Sequence, residues 1–439
     1  MQLSHHLDKG AWALAANACK AVYGLLFTLW LIMVLPRETW GAFAIIQTTY
    51  LAISQLSLSF GMAPYIKYYT SESDHLPLQS GALAIVFCVA IPPLALISVY
   101  PDIFNDLFLK KAEYEVIVYF VPFLFLSAVG KLITNDIFKA THQLKEFFYT
   151  EVVYFTSNII QIAGLYFWST VDHPLHLLIP MCISQLLASI AGIWLAREKL
   201  VFGFRLDFPL LKRMIRFGKY TFGISTAGTL YQNADSYVIA YFMELKTVAL
   251  LQAVKTCAHA FQMYRQIVAL IVFPVLSRLQ SQQRMQDFCA FYEKSLYYSN
   301  TSLLLLMFVL SALSGFIFTT LLPQYPAGTY LLPLFSLQAL FIGWQVIGES
   351  TLGALGKPKI AFYIRLVMGA INLPLSVVLI PPFGITGAIL GMLLTMAIMA
   401  ILSTRQVAKQ IPFTFYGIWG RHRDIFVFAR KWFQKRAGN

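Results

Sequence analysis

The sequence predicts an all-α polytopic membrane protein with about 12 transmembrane helices in two six-helix bundles. Composition is the first observation: of the 439 residues, 58% are hydrophobic and only 12% are charged, whereas a soluble domain carries roughly 25% charged residues. Hydropathy patterning is the second. Mean hydropathy is +0.66, and apolar runs near the roughly 20 residues that cross a bilayer recur along the chain.

The apolar runs define twelve predicted spans. They lie at 11–35, 40–62, 80–100, 115–134, 147–168, 175–196, 216–242, 247–275, 296–321, 331–355, 359–379 and 384–404. The short polar N-terminus lacks the apolar core and the small-residue cleavage site of a signal peptide, so we expect no cleaved leader.

A basic linker divides the twelve spans into two halves. It runs from Arg197 to Lys219, between the sixth and seventh spans. A weak repeat, in which Glu38 and Pro64 recur as Glu244 and Pro274, agrees with this division, and repeated halves are common in transporters. We predict an N-terminal six-helix bundle at 1–205, a C-terminal six-helix bundle at 206–410 and a basic amphipathic cytoplasmic tail at 411–439.

The formal charge of +13 is distributed unevenly about the predicted membrane. Most Lys and Arg lie on the side of both termini, including a polar stretch that extends from the fourth span at Lys131 into a loop. The positive-inside rule therefore places both termini in the cytoplasm. The basic charge orients the protein and does not indicate nucleic-acid binding. The opposite side carries only Arg37, Lys110, Lys111 and Lys246.

Several charged residues lie inside the predicted spans. A charge at the bilayer centre costs about 2.5–3.5 kcal/mol on insertion scales, so such residues usually face a bundle interior or a water-filled cavity. Cations outnumber acids, which favours an anionic substrate. The candidate site cations are Lys20, Lys255, Arg265 and Arg365, and the candidate acids are Asp235 and Glu349.

Polar residues recur at helical spacing in the same spans. Lipid can satisfy none of them, so we predict that these polar faces converge on one lumen. The residues are Asn17 in the first span, Gln252, His259, Gln262 and Gln266 in the eighth, Gln345 in the tenth and Asn372 in the eleventh.

Plainer roles stay open for several of these residues. Asp235 and Lys255 lie at similar distances from the turn at Glu244 and could form a structural ion pair. Arg365 could extend toward the membrane surface, and His259 could be a hydrogen-bonded packing residue. The glycines Gly384, Gly387 and Gly391 predict close helix packing. Five cysteines without a CxxC pair predict neither a disulfide nor a metal site.

The seventh and eighth spans carry a family resemblance. The chain has Phe217-Gly218 at the start, Gln232-x-x-Asp235 late in the seventh span, and Phe273-Pro274-x-Leu276-Ser277-Arg278 at the exit of the eighth. Gly10, Trp12 and Trp40-Gly41-Ala42-Phe43 fit as well. The sequence resembles the polysaccharide-export flippases (Wzx-type), the polysaccharide transporter branch of the multidrug/oligosaccharidyl-lipid/polysaccharide exporter superfamily.

This resemblance implies a V-shaped transporter in the bacterial inner membrane that works by alternating access. The implied substrate is an undecaprenyl-pyrophosphate-linked oligosaccharide: an O-antigen, capsule or exopolysaccharide repeat unit. Lys20, Lys255, Arg265 and Arg365 would contact its pyrophosphate, and Asp235, Glu349 and His259 are candidates for proton coupling or ion pairing. No cofactor is implied beyond a proton or sodium gradient. Membrane lipids, a polysaccharide polymerase and glycosyltransferases of the same pathway are the implied partners.

Two rival functions remain. A drug or cation antiporter of the same superfamily would share the fold, but acidic residues should then dominate its cavity. A polysaccharide polymerase, ligase or membrane glycosyltransferase would need a large periplasmic loop, and the longest here, about 101–114, has about fourteen residues. No GxxxxGK[ST] segment indicates a built-in ATPase. We therefore expect a transporter and not an enzyme.

Overall fold

A computed structural model of the chain describes residues 12, 19, 22–168, 171–201 and 203–421. This part of the chain is helical, with turns between helices and no strand. The numbered helices, in chain order, are α1 Tyr23–Val34, α2 Arg37–Tyr68, α3 His75–Val99, α4 Ala112–Ala140, α5 Leu144–Trp168, α6 Leu175–Ala196, α7 Phe208–Phe242, α8 Leu245–Cys257, α9 His259–Ser281, α10 Met285–Leu321, α11 Gly328–Ala354, α12 Pro358–Ala408 and α13 Phe415–Gly420. Two short helical segments, Pro101–Phe104 and Asn105–Leu109, connect α3 to α4 and are not numbered.

Eight of these helices are long and apolar enough to cross a membrane, within the residues that the structure describes. They are α2, α3, α4, α6, α9, α10, α11 and α12. Helix α12 has 51 residues, about twice what one crossing needs. The predicted all-α, multi-pass membrane fold is confirmed, and the helix order is compatible with twelve crossings.

Helix α12 consists of two arms that meet at Gly384. Gly384 has φ 59° and ψ −141°, a conformation that glycine adopts without the steric cost a Cβ would bring. A Cβ on Gly387 would lie 2.0 Å from the carbonyl oxygen of Leu379, so the arms approach closely just beyond the bend. Gly387 thus permits the close helix packing that we predict, whereas Gly384 permits the chain to reverse its direction.

The described contacts divide the chain into two compact units, Met1–Thr256 and Cys257–Asn439. In the first unit, α2 packs against α3, α4 and α7, and α6 packs against α4 and α5. Helix α7 lies in this unit because it contacts α2 and α3. The contacts therefore place α7 and α8 with the first half of the chain, and the division at 205/206 stays a sequence-based prediction.

In the second unit, α11 is the central helix. It packs against α9, α10 and α12, and most of its side chains are buried. A Cβ on Gly343 would lie 2.1 Å from Oδ1 of Asn300, so α10 approaches the α11 backbone at this point. Helix α13 packs against α10.

The predicted eighth span is interrupted at Ala258. Helix α8 ends at Cys257 and α9 begins at His259, and Ala258 has φ −84° and ψ 5°. The spacing predicts that the polar stripe from Gln252 to Gln266 follows one continuous helix face. Because of the break, the stripe is divided between two helices. Its first two members, Gln252 and Lys255, belong to α8, and the others belong to α9.

Candidate functional site: charged side chains in the membrane helices

Helices α7 and α8 form a hairpin that holds an ion pair between Asp235 and Lys255. The Nζ of Lys255 lies 2.8 Å from Oδ2 of Asp235 and donates to Oδ1 at 3.0 Å. It also donates to the carbonyl oxygen of Gln232 at 3.0 Å. The Asp235 side chain is 6% exposed and that of Lys255 is 20% exposed. The ammonium group is thus neutralised, with one side still accessible.

Helix α11 and the first arm of α12 hold a second ion pair. Nη2 of Arg365 lies 2.5 Å from Oε2 of Glu349, and Nε donates to Oε1 at 3.2 Å. This two-point contact matches the planar guanidinium to the carboxylate. The Arg365 side chain is 45% exposed, whereas that of Glu349 is 12% exposed.

Helices α4 and α5 hold a third ion pair, between Lys131 and Glu151. Nζ of Lys131 lies 3.1 Å from Oε2 of Glu151, and the two side chains are 7% and 3% exposed. Asn135 donates to Oε1 of Glu151 at 2.7 Å, and the ammonium lies 3.9 Å from the ring centroid of Tyr154. Sequence reasoning missed this pair because it assigns Lys131 to the loop side of the fourth span.

The three ion pairs share one geometric rule. Lys131 and Glu151 are each ten residues from Thr141. Asp235 and Lys255 are each ten residues from Leu245. Glu349 and Arg365 are each eight residues from Lys357. In an antiparallel hairpin, residues equidistant from the turn lie at equal depth, here about 12–15 Å from the turn at 1.5 Å per residue. This symmetry is a sequence signal that could have found the third pair.

Helix α9 presents a different arrangement around Arg265. The Arg265 side chain is half-buried and has no hydrogen-bond or ion-pair partner among the described residues. Gln262 and Gln266, which flank it on the helix, are exposed. His259, at the start of α9, is half-buried. Exposed polar groups on a membrane-spanning helix need water or polar ligands, because lipid offers neither.

Three of the predicted lumen residues instead connect helices. Gln345 is fully buried and donates to the carbonyl oxygen of Met396 at 2.8 Å. Asn372 is buried and accepts from Thr395 at 3.3 Å. Gln252 is half-buried and donates to Ser236 Oγ at 3.2 Å. Within the second unit, Gln345 and Asn372 lie in the interior, where they link α11 to α12 and the two arms of α12. Their expected place on a lumen stays a prediction.

Two predicted site residues, Asn17 and Lys20, lie outside the described residues. Their expected roles stay predictions. The same holds for most of the predicted basic tail, residues 422–439. At the start of that tail, Arg421 forms an ion pair with Glu293 of α10 at 2.8 Å.

A cluster of charges gathers where α2 and α8 begin. Glu38 lies 2.5 Å from Nζ of Lys111 and 3.0 Å from Nζ of Lys246. Lys110 donates to the carbonyl oxygen of Tyr241 at 2.5 Å, near the end of α7. The hydrogen bond to Glu38 raises the pKa of Lys111. Three of the four cations on the predicted periplasmic side, Lys110, Lys111 and Lys246, thus make contacts between elements. They connect the loop before α4 with α2 and with the end of α7, and they connect α2 with the start of α8.

Comparison with solved structures defines the class of fold. The lipid II flippase MurJ, in an inward closed conformation, matches with a TM-score of 0.74 at 14% identity, over 93% of this chain and 89% of that chain. An inward-facing multidrug resistance MATE family transporter of the MOP superfamily matches with a TM-score of 0.68 at 11% identity, over 94% and 98%. The fold is therefore the all-α membrane transporter fold of these proteins.

The sequence itself gives the family. Residues 6–280 match the family described as polysaccharide biosynthesis protein, and the chain belongs to that family. The flippase family expected from the motifs of spans seven and eight is confirmed at this level. The probable low-salt glycan biosynthesis flippase Agl15 of Haloferax volcanii is 22% identical over 213 residues, 48% of this chain and 44% of that protein. The chain spans less than half the length of the curated relatives it matches.

Proposed function

We propose that this protein is a flippase that moves an undecaprenyl-pyrophosphate-linked oligosaccharide from the cytoplasmic to the periplasmic leaflet of the bacterial inner membrane. The observation that carries the proposal is the polar surface of α9, where Arg265 lies between exposed Gln262 and Gln266. A half-buried guanidinium that has no counter-ion in the described part of the chain suits a ligand that supplies phosphate oxygens. Glutamine side chains beside it suit sugar hydroxyls.

Family membership supports a substrate that belongs to polysaccharide synthesis, and a flippase of glycan biosynthesis is among the relatives. We propose that Lys20 and Asn17 add to the substrate path from the first span. The positive-inside distribution supports cytoplasmic termini. A polymerase and glycosyltransferases of the same pathway are the proposed partners.

Ion pairing suggests how a gradient would be coupled to transport. Lys255 and Arg365 are each neutralised by a carboxylate. Protonation of Asp235 or Glu349 would leave the cation without its counter-ion and free to bind a pyrophosphate oxygen. Substrate phosphate and carboxylate would then alternate on the same cation, so that proton uptake accompanies substrate binding. His259 is a further candidate for proton exchange in this scheme.

A drug or cation antiporter is the second candidate function. It would need carboxylates free to receive a cation, but the two acids predicted inside the spans are each bound to a base. Arg265 has no counter-ion among the described residues, which favours an anionic ligand. These contacts favour the flippase.

Export complementation tests the proposal. The protein is expressed in a strain that lacks its own polysaccharide flippase, and surface polysaccharide is measured relative to membrane abundance. Wild type should restore export. Arg265→Ala should export at least tenfold less polysaccharide than wild type, and Arg265→Lys should retain part of the wild-type export. Arg284→Gln removes the same charge from an exposed arginine beyond the end of α9 and should export normally. Equal export by Arg265→Ala and wild type would contradict the assigned substrate contact.

A further inference from the structure

The second unit has an apolar groove on its surface that the transport proposal does not use. Its volume is about 480 Å³, and it lies between α11, the second arm of α12 and Phe413. Phe341 and Trp344 line one wall, and Ala397 and Ile401 line the other. Ile401 is 52% exposed, so the groove opens on a surface of membrane-spanning helices, toward lipid hydrocarbon.

One end of this groove carries positive charge. Arg405 belongs to the lining, is exposed, and has no side-chain partner in the part of the chain that the structure describes. Lys409 follows one turn later and is exposed as well. Thr404 is the other polar member of the lining. An apolar groove that ends at a cation matches a molecule with an apolar chain and an anionic head.

Position along α12 places the charge at the membrane surface. From the bend at Gly384 to Arg405 the helix rises about 30 Å, the thickness of the hydrocarbon core. When the bend at Gly384 lies at one face of the membrane, Arg405 therefore lies among the headgroups of the other face. From Ala397 to Arg405 the rise is only about 12 Å, less than half of the core. The occupant is therefore a chain confined to one leaflet, which excludes a long polyprenyl chain along its full length.

We propose that this groove is a binding site for an anionic phospholipid: one acyl chain lies between α11 and α12, and Arg405 binds the phosphate. Phosphatidylglycerol is the lipid of this class that we take as the probe. A zwitterionic lipid carries an amine that offsets its phosphate, so it gains less from Arg405 and Lys409. Basic sites of this kind at the ends of membrane helices select anionic headgroups, at about 1 kcal/mol per Lys or Arg, which corresponds to about fivefold in affinity.

Native mass spectrometry of the full chain in detergent tests this site. Phosphatidylglycerol and phosphatidylcholine with identical acyl chains are titrated in turn, and the first lipid adduct is quantified. Wild type should prefer phosphatidylglycerol by about fivefold or more. Arg405→Gln should lower that preference by about fivefold and bind phosphatidylcholine unchanged, whereas Ala397→Phe, which fills the groove, should weaken both lipids. Lys359→Gln removes an exposed cation outside the groove and should behave as wild type.

Three results would overturn the proposal. Wild type could bind both lipids equally, or Arg405→Gln could keep the full preference for phosphatidylglycerol; either would show that Arg405 does not select the headgroup. Displacement of phosphatidylglycerol from wild type by an equimolar polyprenyl phosphate would assign the groove to the transported lipid instead. Arg405 is exposed, so its substitution is not expected to prevent folding.

Discussion

Lys131 of α4 and Glu151 of α5 form an ion pair at 3.1 Å in which both side chains are more than nine-tenths buried. Removing one partner of a buried pair leaves an uncompensated charge and typically costs about 3–5 kcal/mol. We expect Lys131→Met to lower the stability of the protein by this amount. The double variant Lys131→Met/Glu151→Gln should recover most of it, because the amide oxygen of the introduced glutamine would still accept the hydrogen bond from Asn135.

Thermal unfolding in detergent, followed by size-exclusion chromatography of heated samples, measures these differences. Asp287→Asn is the control, since Arg284 and Asp287 form an ion pair in which both partners are more than half exposed. Such surface pairs contribute less than about 1 kcal/mol. Equal losses for the buried and the exposed pair would show that burial does not determine the contribution of the Lys131–Glu151 contact.

Asp235 and Lys255 combine a structural contact with a proposed transport role, and a double variant separates the two. Asp235→Ala and Lys255→Ala should each reduce membrane abundance, because each leaves one charge without its partner. The double variant should restore abundance but not export, since the substrate path would still lack Lys255. Quantitative immunoblotting and surface polysaccharide measurements give the two values. Normal export by the abundant double variant would leave Lys255 with a structural role alone.

Gly384 is predicted to tolerate no side chain without strain. Its positive φ should make Gly384→Ala destabilising by about 1–3 kcal/mol. Gly315 of α10 is helical and has open space where a Cβ would lie, so Gly315→Ala should be neutral or stabilising by up to about 1 kcal/mol. Unfolding midpoints of the two variants should therefore move in opposite directions or differ clearly. A shared direction and size would contradict a conformational role for Gly384.

The contact between Lys111 and Glu38 predicts a dependence on alkaline pH. The pKa of Lys111 is raised above its ordinary value of 10.5 by Glu38. Its contribution to stability is therefore fully present below pH 10.5 and is lost as the pH rises through the raised pKa. The difference in unfolding midpoint between wild type and Glu38→Gln should stay constant from pH 8 to 10 and shrink above that range. A constant difference up to pH 12 would contradict the assignment.

The sequence was sufficient for the fold class and for one ion pair. Apolar runs of the right length predict membrane helices because a bilayer imposes their length. The Asp235–Lys255 contact could be expected because both residues lie at similar distances from one turn. Lys131 and Glu151 also lie at equal distances from one turn, at Thr141. Their contact is not predicted because Lys131 is assigned to the loop side of the fourth span.

Other features could not be predicted from periodicity. A stripe of polar residues does not distinguish a face open to water from a face in contact with another helix. Gln345 and Gln266 have the same side chain, and each belongs to a set of polar residues at helical spacing. Gln345 is nevertheless fully buried, and Gln266 is exposed. The break at Ala258 leaves no mark in composition, since neither glycine nor proline lies there. Contacts between helices decide both features.

Translocation by purified protein tests the central claim most directly. The protein is reconstituted into proteoliposomes with a polyprenyl-pyrophosphate-linked oligosaccharide, and a membrane-impermeant lectin reports the fraction of oligosaccharide on the outer leaflet over time. Wild type should equilibrate the lipid-linked oligosaccharide between leaflets, and Arg265→Ala should do so at least tenfold more slowly at equal protein content. No transfer by wild type above protein-free liposomes, or equal rates for both proteins, would contradict a flippase that binds its substrate through Arg265.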